Sequence, residues 1–116
     1  MDFRATWKFA RVSPTKVRPL ATLVKNMPLN QALTVLRLEK RRGAALLHKV
    51  VRAAWANAQE KDSGYDEEAF FVKSARVDKG PQLRRMRARS MGRANIILRR
   101  SAHITVILSD SPNEER

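Results

Sequence analysis

Residues 79–109 read KGPQLRRMRARSMGRANIILRRSAHITVILS, and most of the fold is decided there. The stretch carries eight Lys or Arg and no Asp or Glu, a composition that seeks a polyanion. Gly80-Pro81 opens it, and Ile104, Val106 and Leu108 alternate at its end, so strand-like pattern flanks a basic, small-residue middle. This pattern predicts a long protruding β-hairpin over about residues 79–103. Between Gln82 and Arg93 there are too few apolar residues to bury a face, and a free two-stranded ribbon is marginal in water. A partner outside the chain must therefore hold it. Arg outnumbers Lys seven to one, which suits bidentate phosphate contact and stacking on bases more than general solubility. Ala88, Ser90 and Ala94 are small enough to let backbone approach that partner closely.

The whole chain repeats the message. A formal charge of +13 on 116 residues makes nucleic acid the expected partner, since phosphate backbones are the commonest surface able to neutralise it by counterion release. The acids are gathered at Glu60, Asp62, Asp66, Glu67 and Glu68 and again at Asp110, Glu114 and Glu115, so one face or tip is expected to point away from the polyanion. The length predicts one domain over residues 1–116, with a flexible tail at 111–116. No Cys is present, which removes disulfides and thiolate chemistry. The first residues show no apolar core with a cleavage site, and no window has the length of a membrane span, so a soluble, cytoplasmic protein is expected.

Outward from the ribbon, Asp2 to Val12 alternates with Phe3, Ala5, Trp7 and Phe9 on one side and reads as a first strand. Ser13-Pro14 stops it and opens a helix, with Ser13 as N-cap and Val17, Leu20, Ala21 and Val24 as the buried stripe. Pro19 predicts a kink in this helix, or a start near Arg18. After the break at Asn26-Met27-Pro28, Asn30 is the expected cap of a short helix through Leu36. The longest helical pattern runs from Arg41 to about Lys61, with Leu47, Val50, Val51, Ala54 and Ala58 buried and Lys49 and Arg52 turned to solvent or phosphate. The alanines at 53, 54, 56 and 58 would let this helix approach a sheet closely. Ala69 to Asp78 reads as the second strand, where the set Phe71, Ala75 and Val77 is favoured over Phe70 and Val72 as inward-facing. A third strand is expected from about Arg93 to Asp110. The fold class is thus α+β: a three-stranded antiparallel sheet packed by three helices, with a protruding hairpin.

Catalytic and metal chemistry find little support. His48 and His103 have no carboxylate at useful spacing, and Ser101, two residues from His103, has no oxyanion device beside it. Trp7 and Trp55 read as core or core-edge aromatics. No enzyme activity, metal or other cofactor is expected. Two other readings define what each would require. A DNA-architectural protein with β-arms in a minor groove would need a dimer, and a nucleic-acid-processing enzyme would need the acids of residues 60–68 to converge on a metal. In Ser13-Pro14-Thr15-Lys16-Val17-Arg18, a capped helix start can also offer amides and the charges of Lys16 and Arg18 to a phosphate.

At Ser13-Pro14-x-Lys16-x-Arg18, at Ala54-x-Ala56-Asn57-Ala58 and at Gly80-Pro81 the chain resembles the large-subunit ribosomal protein twenty-two family in its bacterial-type form. The most specific agreement is Arg84, then Arg89-Ser90-Met91-Gly92-Arg93, then His103-Ile104-x-Val106-x-Leu108, within a match over about residues 8–110. The sequence departs from the family pattern at Ala88, where many relatives have proline, and at Ser90, where alanine is common. The resemblance implies a structural ribosomal constituent that binds large-subunit ribosomal RNA, supports its assembly and neighbours other large-subunit proteins, without self-association. RNA contacts are expected from Lys16, Arg18, Lys79, Arg84, Arg85, Arg87, Arg89, Arg93, Arg99, Arg100 and His103. It further implies that a hairpin tip made of Leu83, Arg84, Arg85, Met86, Arg87, Ala88, Arg89, Ser90 and Met91 lines the peptide exit tunnel, near the nascent peptide.

Overall fold

The computed structural model describes residues 2–61, 64, 66–88 and 94–110, with residue 67 and residues 83–88 and 94–99 described by their backbone. The elements run β1 (Asp2–Ala10), α1 (Pro14–Val24), α2 (Leu29–Leu38), α3 (Arg42–Lys61), a 3₁₀ turn (Glu67–Ala69), β2 (Phe71–Lys79), β3 (Leu83–Ala88), β4 (Ala94–Arg99) and β5 (Ala102–Ser109). A three-stranded antiparallel sheet has the order β1-β5-β2, and β3 pairs with β4 in a sheet of two. The α+β architecture expected from the sequence is the one observed. The chain measures 64 × 26 × 24 Å.

One face of the three-stranded sheet carries the helices, with α3 against β1 and β5 and α1 against β2. β5 is central, and its alternate residues Ala102, Ile104, Val106 and Leu108 are completely buried. Opposite them Val17, Val24, Leu47, Val51, Ala54 and Ala58 are buried to the same degree, so the helical stripes read from period 3.6 meet the strand face read from period 2. Ala53 and Ala56 face solvent, so of the four alanines only Ala54 and Ala58 serve the close approach. Asn57 Nδ2 donates to the Arg4 carbonyl at 3.0 Å and ties α3 to β1. A methyl group on Gly43 would stand 3.1 Å from Val17 Cγ2, which measures how tightly the start of α3 meets α1.

The local signals hold in outline and differ in detail. α1 starts at Pro14 and continues through Pro19. Pro19 lies on the exposed side, where the Thr15 carbonyl that has lost its partner remains within reach of water. Ser13 occupies the N-cap with an extended backbone but makes no side-chain cap; its hydroxyl pairs with that of Thr15 at 2.9 Å. α2 begins one residue before Asn30, with Pro28 at the N-cap, because the chain is already fixed there: Leu29 N donates to the Phe70 carbonyl at 3.0 Å.

Two β-bulges reset which residues face inward. In β2, Val72 pairs with Leu108 and Ser74 with Ile107, leaving Lys73 as the extra residue. The buried set is therefore Phe70 and Val72 before the bulge and Val77 after it, with Ala75 half-buried, so each of the two competing sets holds for one half of the strand. In β1, Trp7 pairs with Ile104 and Ala10 with Ala102, so Lys8 and Phe9 together oppose His103. Ala10 takes the inward place and Phe9 turns outward, 60% exposed, against the expectation that it shares a side with Trp7. The expected third strand is also divided, β4 belonging to the ribbon and β5 to the main sheet. Lys79 and His103 accordingly lie on the main sheet, and the ribbon's ladder spans Leu83↔Arg99 to Ala88↔Ala94.

Candidate nucleic-acid interface

The ribbon leaves the body between β2 and β5, at a junction closed by two hydrogen bonds. Gly80 N donates to the Ser101 carbonyl at 2.9 Å, and Ser101 Oγ donates to the Pro81 carbonyl at 2.7 Å. Gly80 is required by proximity, since a Cβ there would lie 2.5 Å from Ser101 Oγ and 3.2 Å from the Ser101 carbonyl carbon. The end of β1, the first turn of α1, the first turn of α3 and this junction meet at one end of the molecule. They enclose an open groove of about 1570 Å³.

Arg11, Lys16, Arg41, Arg42 and Arg100 line the groove, and among the described residues no Asp or Glu does. All five are exposed. Arg41 Nε lies 3.6 Å from Glu39 Oε1, a solvent-screened pair that neutralises little. A smaller hollow of about 220 Å³ adjoins, sharing Thr15, Arg100 and Ser101 with the groove and adding Arg18 and Lys79. The structure thus brings Lys16, Arg18, Lys79 and Arg100 together around the ribbon's base. Arg18 is partly committed to the fold, as its Nε donates to the Val77 carbonyl at 3.3 Å and fastens α1 to the edge strand. Lys16 N donates to the Ser13 carbonyl at 3.0 Å, so one amide expected at the helix start for a phosphate is used within the first turn.

The opposite end carries the acids. Asp2 and Ser109 pair at the far end of the sheet, Asp110 follows, Glu60 lies in the last turn of α3, and Asp66 and Glu68 precede β2. At ~1.5 Å per residue, the helix from Arg42 to Lys61 separates the two ends by roughly 30 Å. Asp2 is held below the usual carboxylate range chiefly by its hydrogen bond to Lys73, 2.8 Å away. Asp78, close to the cationic end, pairs with Arg76 at 3.1 Å. Of the acids grouped in the sequence, Glu60, Asp66, Glu68 and Asp110 thus lie away from the groove, while Asp62, Glu114 and Glu115 lie outside the described residues.

His103 is half-buried on β5, and its Nδ1 accepts a hydrogen bond from the Phe9 amide at 3.0 Å. This bond fixes the ring and ties the end of β1 to β5 at the base of the ribbon. Phe9 stands edge-on to it, ring centroids 4.9 Å apart at 90°. Phe9 has φ +60°, an uncommon conformation for a bulky side chain that costs of order 1–3 kcal/mol. His48 is half-buried on α3, and its pKa is lowered first by burial and then by the charges of Arg52 and Arg37.

Arg84, Arg85 and Arg87, with Leu83, Met86 and Ala88, form β3, and Arg99 ends β4 opposite Leu83. Arg89, Ser90, Met91 and Arg93 lie outside the described residues. The groove also contains residues beyond the expected set: Phe9, Arg11, Arg41 and Arg42. The spacing of Arg41 and Arg42 at a helix start is a usable signal; the outward turn of Phe9 depends on a bulge that alternation conceals. Among the described residues no group of three His, Asp or Glu is placed to hold a metal, and no helix is long and apolar enough to cross a membrane.

A family model described as ribosomal protein L22p/L17e matches residues 5–109. Several curated relatives bear the name large ribosomal subunit protein uL22. That of Treponema denticola is 43% identical over 97% of this chain and 95% of its own length. The Syntrophobacter fumaroxidans protein is 48% identical over 95% of this chain and 99% of its own. For Desulforamulus reducens the identity is 46%, over 95% and 96%.

Proposed function

The chain belongs to the ribosomal protein L22p/L17e family, one of structural ribosomal proteins and not enzymes, and on that premise we propose that it binds large-subunit ribosomal RNA through its cationic end and supports assembly of the subunit. The observation that carries this is the acid-free groove at the ribbon's base, where cations from four separate parts of the chain converge. Packed RNA helices repel one another, and cations fixed on a folded body neutralise phosphates without first having to be ordered. The deep, narrow major groove of A-form RNA admits no side-chain readout, so recognition rests on phosphates, 2′-hydroxyls and unpaired bases.

From this anchor the ribbon runs outward to the tunnel wall. Six residues per strand at ~3.3 Å each make a ribbon roughly 20 Å long, along which Arg84, Arg85 and Arg87 are spaced from near the base outward. Leu83 pairs with Arg99 beside the junction, so of the tip expected from Leu83 to Met91 only the later residues, beyond the Ala88↔Ala94 pair, stand far enough out to lie beside the nascent peptide as it leaves. Neighbouring large-subunit proteins complete the setting, the cytoplasmic ribosome is the place of action, and the protein acts as a single copy.

Binding to a large-subunit rRNA transcript tests the reading. With roughly five to eight phosphates neutralised, log K against log salt falls with a slope of roughly −3 to −6. Replacing Arg42 and Arg100 together by Ala makes the slope shallower by roughly one unit or more. A slope near zero for the wild-type chain refutes the electrostatic anchor.

A further inference from the structure

Three large hydrophobic side chains are exposed among the described residues, Phe9, Leu23 and Leu38, and of these Phe9 alone borders the cationic groove. Its exposure is built in. The bulge opposite His103 turns it out of the sheet, a positive φ keeps it there, and the hydrogen bond that its backbone N–H donates to His103 Nδ1, with the perpendicular ring contact, fixes its direction. A fold gains nothing for its own core by straining its backbone to present an aromatic ring to water, so the strain points to a function outside the chain.

Building on the reading of this groove as an RNA surface, we propose that Phe9 is a stacking platform for an unpaired base of the bound RNA, while Arg11, Arg42 and Arg100 hold the phosphates on either side of that nucleotide. Aromatic rings accept any base, because every base has a π-face. The occupant is a looped or single-stranded segment, since bases within an A-form duplex are already stacked. The ring and the guanidinium groups act in complementary ways. The cations supply salt-dependent attraction, and Phe9 supplies a short-range, salt-insensitive contact that fixes position.

The test uses the full chain and a large-subunit rRNA transcript. Phe9→Leu keeps apolar bulk and the same backbone strain but removes the π-face; its affinity is expected to fall by roughly 5- to 150-fold with no change in the salt slope. Phe9→Tyr retains the wild-type affinity. Phe9→Asn guards against misfolding of the Leu variant, because Asn accepts a positive φ readily; it is expected to fold and to bind as weakly as Phe9→Leu. Binding of the Leu and Asn variants within roughly twofold of wild type overturns the inference, while the steep salt slope of the wild type leaves the RNA-binding reading intact. A wild-type slope near zero defeats that reading itself. If the variants bind the transcript normally and are lost only from particles containing other ribosomal proteins, Phe9 meets protein and the stacking role is wrong.

Discussion

Gly80→Ala is the most direct probe of how the ribbon is joined to the body. The new methyl would lie 2.5 Å from Ser101 Oγ and 3.2 Å from the Ser101 carbonyl carbon and oxygen. The hydroxyl can rotate away, but it then leaves the Pro81 carbonyl, whose 2.7 Å bond it makes. Losing a net hydrogen bond costs about 1 kcal/mol. The backbone contact cannot rotate away, and relieving it stretches the bond from Gly80 N to the Ser101 carbonyl; overpacking of this kind costs about 1–3 kcal/mol. The sum is about 2–4 kcal/mol, a substantial part of the ~5–15 kcal/mol that holds a domain folded. For a chain of this size that lowers Tm by roughly 8–16 °C. Thermal unfolding followed by circular dichroism measures it. Combined with Ser101→Ala, which removes the nearest atom, the variant should recover at least about 1 kcal/mol relative to the sum of the single changes. A Gly80→Ala protein that melts with the wild type, or strict additivity in the double variant, would falsify the account of this junction.

The remaining expectations concern pH and the division between anchor and tip. His48 has a lowered pKa in the folded state, so the unfolded chain binds its proton first; His48's contribution to stability is complete above the unfolded value of about 6.5 and is lost as pH falls below it. Tm should drop between about pH 7.5 and pH 5.5 less in His48→Gln than in the wild type, and equal drops would refute the assignment. Deleting Leu83 to Arg85 removes the three ribbon pairs nearest the body and so draws the tip inward; the variant should still fold and enter the subunit but alter the passage of nascent chains or tunnel-blocking small molecules, whereas Lys16→Ala with Arg18→Ala should reduce incorporation. Quantifying each variant in purified subunits decides between them, and the reverse pattern would refute the division.

The helices were legible because their signal is redundant: four or five apolar residues at period 3.6 fixed the buried sides of α1 and α3 whatever the caps did. Caps were less legible. Asn30 and Ser13 have the right chemistry, yet a hydrogen bond from Leu29 to Phe70, distant in sequence, decided where α2 starts. Strand faces failed at the bulges, since one extra residue at Lys73 or in the Lys8-Phe9 pair reverses the parity on which the reading depends. The site was half legible for a related reason. Lys16, Arg18, Lys79 and Arg100 stand in segments that are basic in sequence, while Arg11 becomes a neighbour of the Arg41-Arg42 pair only when β1 and α3 are brought to the same end.

The sheet order sets the sequence of events by which the body closes. β1 and β2 never pair with each other; each pairs with β5, and Asp2 finds its partner at Ser109. A growing chain therefore has its helices complete while both outer strands still lack the strand that unites them. The ribbon supplies the short route to closure, because β3 and β4 are nearly contiguous with β2 and β5, and the bond from Gly80 to Ser101 continues one ladder into the other. The topology predicts that pairing in the ribbon, once a partner holds it, zips through that junction into β2 and β5 at little loop-closure cost, and that β1, with the longest loop to close, docks last. If RNA grips the ribbon as proposed, it would accelerate completion of the very domain that presents it.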